Sequence, residues 1–385
     1  MSRRVVTLTE RRKRLARLPR DEANFLLVHA RHVLDVAPTF DRGTYQLRPR
    51  NYVGYFDSPG TRYEIKPKIP WPNLMMLLGL SREAKGEAVE PAGGLLAGLA
   101  EEFASRLDAV VRAGLVAGYG EVKSTSPFLK GKLRTADQIR DAAAGAFPDR
   151  FHVDEPVFDL HTPWNRVPKA AATALLTRLE LPPETRKRVE WAARAFSALP
   201  DEAATEADFA AAYAEPRAAG YAPLLDVCRI ILQGLASADP TRTEAGAFLV
   251  NLERAFERYL IASLRRVLAR KPGWGVGSHE PFVLGPTELR PDLVVRRDGS
   301  PWAVLDAKWK AVACEPADLH QILAYRTLTG AGRVALVYPG RTDGRAHYFT
   351  PDGRVRVSLY RLRVVGTAEQ LERSVRRLAR SVREK

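Results

Sequence analysis

Two aspartates and a lysine late in the chain have types and spacing that could do chemistry. Asp292 follows Pro291, and after thirteen intervening residues comes Asp306-Ala307-Lys308. Between them, Asp298-Gly299 is a hairpin-turn signal flanked by Leu293-Val294-Val295 and Trp302-Ala303-Val304-Leu305. A hairpin centred on Gly299 places position 292 across from position 306, with Cβ atoms roughly 4.5 to 5.5 Å apart. Two carboxylates that close repel each other unless a cation or a proton sits between them. Side chains alternate along a strand, so Lys308 shares a face with Asp306 while Ala307 turns into the core. Hard oxygen ligands with open positions suit Mg²⁺, with Mn²⁺ as a possible substitute. Such an ion polarises a phosphoryl oxygen and acidifies a bound water, and the lysine can orient that water or stabilise developing charge. The chemistry implied is phosphodiester hydrolysis. Spacing alone is met as well by a hairpin with a solvated Asp, Asp and Lys.

These residues need elements to position them. One long helix is expected from Gly246 to Ala269. On it Glu257 lies beside the apolar stripe Leu249, Leu252, Phe256 and Tyr259, either pointing to the sheet or as a flank charge. Strands are expected near Pro281 to Leu284, Leu289 to Val295, Trp302 to Lys308 and Arg333 to Tyr338, with a helix from Pro316 to Thr329. Gln321 and Tyr325 lie one turn apart on that helix, as a site pair or a surface patch. Upstream, Thr162 to Gly234 reads as several helices broken at Pro182-Pro183 and near Glu215-Pro216. Thr44 to Ile69 reads as two strands around Asp57-Ser58-Pro59-Gly60. Helices follow from Asn73 to Leu80 and from Pro91 to Gly118, the second closed by Gly118 and Gly120. The fold class is therefore α+β and multidomain: a mixed α/β N-terminal domain over 1–125, a mainly helical middle over 126–240, and an α/β domain over 241–385.

The chain has 385 residues, and 60 Lys+Arg against 45 Asp+Glu give a net charge of +15. That excess predicts a polyanionic partner, nucleic acid before an anionic membrane face. Two cysteines, Cys228 and Cys314, exclude a disulfide framework and a four-cysteine zinc site, and fit a reducing cytosol. No apolar h-region follows Arg3-Arg4, and no apolar run reaches about 18 residues. A soluble, cytoplasmic protein with no membrane partner is expected. His29 and His32 have no recognisable third ligand and read as structural. Neither a G-x-x-x-x-G-K-[ST] phosphate loop nor a G-x-S-x-G elbow is present. From Arg354 to Lys385 ten basic residues stand against three glutamates. There Thr367 and Gln370 resemble a capping box for a helix with apolar Leu371, Val375, Leu378 and Val382. Arg373, Arg376, Arg377, Arg380 and Arg383 lie on its other face, as DNA-phosphate contacts or a solvated face. Lys123, Lys130, Lys132 and Arg134 flank Gly131 in a basic loop.

The order Glu257, Asp292, Asp306-x-Lys308 and Gln321-x-x-x-Tyr325 looks like the PD-(D/E)xK nuclease fold in its RecB-like form. More widely, from about residue 45 to about residue 340, the chain resembles the McrC family, nuclease subunits of McrBC-type modification-dependent restriction systems. The matching segments include Tyr63-Glu64-Ile65-Lys66-Pro67-Lys68-Ile69, Pro127-Phe128-Leu129-Lys130-Gly131-Lys132-Leu133, Gln138-Ile139-Arg140 and Thr162-Pro163-Trp164-Asn165-Arg166 with Lys169. They continue with Phe256-Glu257-x-Tyr259, Arg290-Pro291-Asp292, Leu305-Asp306-Ala307-Lys308-Trp309-Lys310 and the stretch from Asp318 to Tyr325. The resemblance implies a Mg²⁺-dependent DNA endonuclease subunit, working with a separate McrB-like AAA+ GTPase that recognises modified double-stranded DNA and whose hydrolysis it stimulates. It implies Asp292 and Asp306 as metal ligands, Glu257 as a further ligand, and Lys308 as the group positioning water. Gln321 and Tyr325 would support substrate or metal. The N-terminal domain would dock on the GTPase ring, with Lys123, Lys130 and Lys132 contacting the partner or DNA. The absent phosphate loop agrees with a separate nucleotide-binding partner. Two alternatives are a non-catalytic DNA-binding adaptor that activates an NTPase and a stand-alone endonuclease of the same fold.

Overall fold

The computed structural model describes residues 4–81, 94–145, 149–236, 247–311, 314–350 and 353–384. Contacts divide the chain into two units, Met1–Leu95 with Gln233–Lys385, and Leu96–Leu232. The first unit opens with β1 (Arg4–Thr9), β2 (Arg14–Arg17), α1 (Arg20–His29), β3 (Leu34–Pro38), β4 (Thr44–Pro49), β5 (Tyr52–Asp57), β6 (Thr61–Lys66) and α2 (Trp71–Leu77). β5 and β6 pair antiparallel around Asp57-Ser58-Pro59-Gly60 as that turn predicts. The segment from Thr44 holds three strands rather than two, because β4 pairs with β2 and β3 in a sheet of its own. Alternation buries Val6, Leu8, Tyr63 and Ile65 with Leu26 and Leu47 in one core.

The second unit is built from α3 (Gly94–Ala113), β7 (Gly118–Ser126), β8 (Lys132–Leu133), α4 (Thr135–Ala143), β9 (Phe151–Asp159), α5 (Pro163–Arg178), α6 (Pro183–Ala193), α7 (Glu206–Ala214) and α8 (Ala222–Ala236). Helices α5 to α8 fill the stretch expected to be helical. The helix expected to reach Gly118 ends sooner, at Ala113, where Gly114 adopts φ +91° and supplies the left-handed stop. Gly118 and Gly120 instead belong to β7, which pairs with β9, and β9 with β8. Gly118 lies against the Trp164 ring, where an added Cβ would come within 2.7 Å. Several residues matched upstream have architectural partners here. Trp164 Nε1 donates to Val116 O at 2.8 Å, Asn165 Nδ2 donates to Val116 O at 3.0 Å, and Tyr221 Oη donates to Asn165 Oδ1 at 3.0 Å.

The chain then returns to the first unit with β10 (Ala247–Asn251), α9 (Leu252–Leu268), β11 (Trp274–Gly277), β12 (Phe282–Leu284), β13 (Thr287–Leu289), β14 (Leu293–Arg297), β15 (Ser300–Ala307), α10 (Pro316–Thr329), β16 (Arg333–Gly340), β17 (Gly344–Phe349), β18 (Arg356–Arg363) and α11 (Ala368–Arg383). The helix expected from Gly246 begins only at Leu252. Residues 247–251 form β10, so Leu249 belongs to a strand and not to the helical stripe. β10 pairs with β5, and Leu249 lies opposite Gly54, whose Cβ would stand 2.1 Å from Phe248 O. Asn251 then caps α9, its Oδ1 accepting from the backbone N–H of Glu253 at 2.9 Å. The N-terminal sheet therefore has the order β1-β6-β5-β10, closed by a strand from the C-terminal half. Gly246 itself, Pro91 and Ala238-Asp239-Pro240 lie outside the described residues.

The second large sheet has the order β11-β14-β15-β16-β18-β17. β15 and β16 run parallel, joined by α10, whose Ile322 and Tyr325 pack with Val304, Val334, Leu336 and Tyr338. α9 packs on β15, and α11 packs on α9 and β18. The expected capping box is present at α11. The Gln370 N–H donates to Thr367 Oγ1 at 3.3 Å, and the Thr367 N–H to Gln370 Oε1 at 3.0 Å. Leu371, Val375, Leu378 and Val382 are buried beneath that helix.

Candidate active site

The hairpin β14–β15 turns at Asp298 (φ +48°) and Gly299 (φ +82°), both left-handed, as a two-residue turn with an Asp-Gly pair requires. Near the tip, Arg297 faces Ser300 and Arg296 faces Pro301. Continued without interruption, that register would set Asp292 against Leu305 and send Asp306 to the opposite face. A bulge between Val295 and Arg296 shifts it by one residue, so Val295 faces Ala303 and Leu293 faces Leu305. Extended by one position, the shifted register sets Asp292 against Asp306. Asp292 Oδ2 accepts from the backbone N–H of Ala307 at 2.8 Å, which anchors the first carboxylate to the strand that carries the second.

Asp306 is 1% exposed, and its Oδ2 lies 2.7 Å from Lys308 Nζ. Lys308 Nζ also donates to Gln321 Oε1 at 2.9 Å, and Gln321 Nε2 donates to Tyr325 Oη at 2.9 Å. Tyr325 Oη donates in turn to Arg290 O at 3.4 Å, two residues before Asp292. One chain of contacts thus joins Asp306, Lys308, Gln321 and Tyr325, and returns to the segment bearing Asp292. Glu257, half-buried on α9, stands with its Oε1 2.8 Å from His279 Nε2. Glu257 Oε1 and Asp306 Oδ2 are both buried without a hydrogen bond of acceptable geometry, although each has a basic neighbour within 2.8 Å.

The electrostatics follow from that crowding. Burial pushes the Asp306 carboxyl up, the Asp292 charge pushes it further, and Lys308 offsets only part. Asp292 is raised by burial and then by Glu257, against the Ala307 N–H and Lys308. Glu257 is raised by burial and then by Asp306. Burial pulls the Lys308 ammonium down, but Asp306, Asp318 and Asp292 outweigh it, so its pKa is raised and it stays charged. Three carboxylates share too little positive charge, which is the condition a divalent cation relieves. Among the described residues, no three His, Cys, Asp or Glu side chains converge on one metal position. The hard oxygen donors, two of them unsatisfied, nevertheless fit a Mg²⁺-type ion seated at Asp292 and Asp306, with Glu257 beside them.

Three neighbours of the site were not singled out from the sequence. Asp318, 6% exposed on α10, has Oδ2 2.7 Å from Lys310 Nζ and Oδ1 3.9 Å from Lys308 Nζ. The signal for both was available: Lys310 alternates with Lys308, and Asp318 lies three residues before Gln321. His279, at φ +52° in the loop before β12, donates its backbone N–H to Pro291 O at 3.1 Å. Nothing in the local sequence marks it.

The basic candidates lie elsewhere. On α11 Arg373, Arg376, Arg377 and Arg380 are exposed. Arg376 pairs with Glu372 at 2.8 Å and Arg377 with Asp343 at 2.7 Å, while Arg373 stands 3.7 Å from Glu369. Lys123 lies on β7 and Lys132 on β8, with Lys130 between them 6.0 Å from the Phe128 ring centroid. All three belong to the second unit. His29 packs edge-on against Phe25 and His32 against Tyr52, and neither joins a metal cluster among the described residues.

The class of protein defined here is a mixed α/β chain whose β-hairpin brings a buried Asp306 together with half-buried Asp292 and Lys308. Over residues 47–339 the sequence matches the model of the McrBC 5-methylcytosine restriction system component family, and the chain belongs to that family. No curated protein sequence matches it. In fold it is similar to a chain of the Thermococcus gammatolerans assembly described as a refined half-complex of McrB AAA+ hexamers with bound McrC. That match has a TM-score of 0.55 at 19% identity, covering 98% of this chain and 100% of that one. A chain of the Thermococcus gammatolerans McrBC complex aligns over 69% of this chain and 88% of its own at 18% identity, with a TM-score of 0.41.

Proposed function

We propose that the chain is the Mg²⁺-dependent endonuclease subunit of an McrBC-like restriction complex, cleaving methylcytosine-type modified DNA together with an AAA+ GTPase whose hydrolysis it stimulates. The observation that carries this reading is the bulged hairpin that sets Asp292 and Asp306 on one face, with Lys308 held between Asp306 and Gln321. The region over 241–385 is read as a PD-(D/E)xK nuclease domain with a basic C-terminal helix. Asp292 and Asp306 hold the ion, and Glu257 supplies a further oxygen. Bound there, Mg²⁺ polarises a phosphoryl oxygen and acidifies a water. Lys308 orients the attacking water or stabilises the charge that develops, with Gln321 and Tyr325 holding its ammonium in place. Mn²⁺ substitutes on the same oxygen ligands.

The relative whose description names McrB AAA+ hexamers with McrC supports a partner of that kind. The N-terminal region over 1–125 is assigned to docking. Lys123, Lys130 and Lys132 provide contacts, beside exposed Val122 on β7 and exposed Phe128 and Leu129 in the loop that follows it. Arg373, Arg376, Arg377 and Arg380 are assigned to DNA phosphates, in keeping with the +15 net charge. Among the described residues no helix is long and apolar enough to cross a membrane, and a cytoplasmic site of action is proposed.

The test compares wild type with Asp306→Ala on methylated and unmethylated plasmid, with Mg²⁺, GTP and an McrB-like AAA+ protein from the same source. Methylation-dependent cutting that Asp306→Ala abolishes, with GTP turnover still stimulated, is the expected result. If neither protein cuts while GTP turnover still rises on adding the chain, the molecule is an adaptor.

A further inference from the structure

Three hundred residues from the candidate centre along the chain, β1 is followed by a glutamate with no role in the site just described. Glu10 is 0% exposed. A carboxylate buried to that degree is unfavourable unless partners surround it. Its Oε1 accepts from Trp309 Nε1 at 2.8 Å and lies 3.4 Å from Lys68 Nζ, while its backbone N–H donates to Lys66 O at 2.9 Å. Glu10 Oε2 and Arg11 Nε are buried without hydrogen-bond partners, and Arg11 sits at the unfavourable φ of +57°. A costly arrangement is concentrated on one indole.

That indole is next to the chemistry. Trp309 follows Lys308 directly and is itself 0% exposed. Its ring packs against Phe256 with centroids 5.5 Å apart, and Phe256 precedes Glu257 on α9. Lys68 stands over the same ring, 5.0 Å from the centroid. Trp309 therefore sits between the neighbours of two candidate site residues, on two separate elements, and the N-terminal sheet holds it by a single hydrogen bond to a buried charge. The β5–β10 pairing leads directly into α9, so the same sheet also sets where that helix starts.

We infer that Glu10 and Trp309 are positioning residues of the candidate nuclease centre. The Glu10 carboxylate orients the indole, and the indole, packed on Phe256, sets Lys308 and Glu257 relative to Asp306. This deepens the nuclease reading and rests on it. Neither residue touches substrate or metal; both act by limiting where the Lys308 backbone and α9 can sit.

The variants are Glu10→Ala, Glu10→Gln, Trp309→Phe and the Glu10→Ala/Trp309→Phe pair, all in the full chain with its AAA+ partner. Glu10→Gln keeps an acceptor for the indole N–H, and Trp309→Phe keeps a ring but removes the donor. Cleavage should fall about tenfold to a hundredfold in Glu10→Ala and in Trp309→Phe, the range of a lost orienting contact. The double variant should lose no more than the worse single, Glu10→Gln should stay within about twofold of wild type, and GTP turnover should hold in all four. Losses that multiply in the double variant, or a Glu10→Gln as impaired as Glu10→Ala, overturn the inference. A second readout is independent of cleavage: the emission attributable to Trp309, wild type minus Trp309→Phe. It should shift to the red when the same subtraction is made in the Glu10→Ala background and stay put with Glu10→Gln; no shift with Glu10→Ala overturns it. If Asp306→Ala cuts like wild type while these shifts occur, the nuclease assignment is at fault and the Glu10–Trp309 link stands.

Discussion

At Asp292 the proposed metal-holding role would come at the expense of stability. Its carboxyl is raised by burial and by Glu257, so the folded state binds that proton more tightly than the unfolded chain does. The sign follows: with the group protonated there is no penalty, and the penalty appears as pH rises from the ordinary carboxylate range through the raised value. Asp292→Asn, which keeps an oxygen for the Ala307 N–H, should therefore raise Tm without divalent metal at pH 8 and leave it unchanged near pH 3.5. Thermal melts at the two pH values check this, and a loss of Tm at pH 8 would contradict it. Mg²⁺ should raise the Tm of wild type at pH 8 and do so far less in Asp292→Asn. For Lys308, replacement by Met keeps the apolar stem but removes the ammonium that reaches Asp306 and Gln321. Cleavage in the complex should drop by about 10² to 10³. Single-turnover rates with saturating Mg²⁺ check that value, and a loss that excess Mg²⁺ restores would assign Lys308 to metal affinity instead.

At the scale of the element, the bulged hairpin decides which side chains meet. The Asp-Gly turn and the flanking apolar triplets are legible in the sequence. The extra residue in β15 is not, because a bulge depends on what the strand packs against. Trp302 occupies that extra position and donates its Nε1 to Val382 O of α11 at 2.8 Å. Deleting Trp302 should rotate Asp306 away from Asp292 and abolish Mg²⁺-dependent cleavage. Trp302→Phe, which keeps the residue count, should retain most activity; far-UV circular dichroism confirms that both fold. α11 makes a parallel case on the stability side. Its capping box and apolar spacing predict the helix and its buried face. Leu378→Ala beneath it should cost about 2 to 5 kcal/mol in urea unfolding, whereas a fully exposed helix would lose almost nothing.

For the whole molecule, charge and chain path matter most. If α11 contacts DNA phosphates, Arg380→Ala should weaken binding evenly across sequences and reduce the log–log salt slope by about 1. Filter binding or fluorescence anisotropy across a salt series measures that, and an unchanged slope would return the arginines to the role of a solvated face. From the sequence by itself come the α/β character, the helices α5 to α8 and α10, the Asp298-Gly299 turn, the shared face of Asp306 and Lys308, and the resemblance to the McrC family. These rest on local spacing and turn chemistry, which act over a few residues. Only the tertiary structure decided that residues 247–251 leave the helical pattern to close the N-terminal sheet, that His279 borders the site, and that Glu10 meets Trp309. Each joins segments far apart in the chain, and no periodicity within either segment encodes the other. β10 shows the physical reason most plainly: an apolar run before a helix is ambiguous until Gly54 leaves room for a strand beside β5.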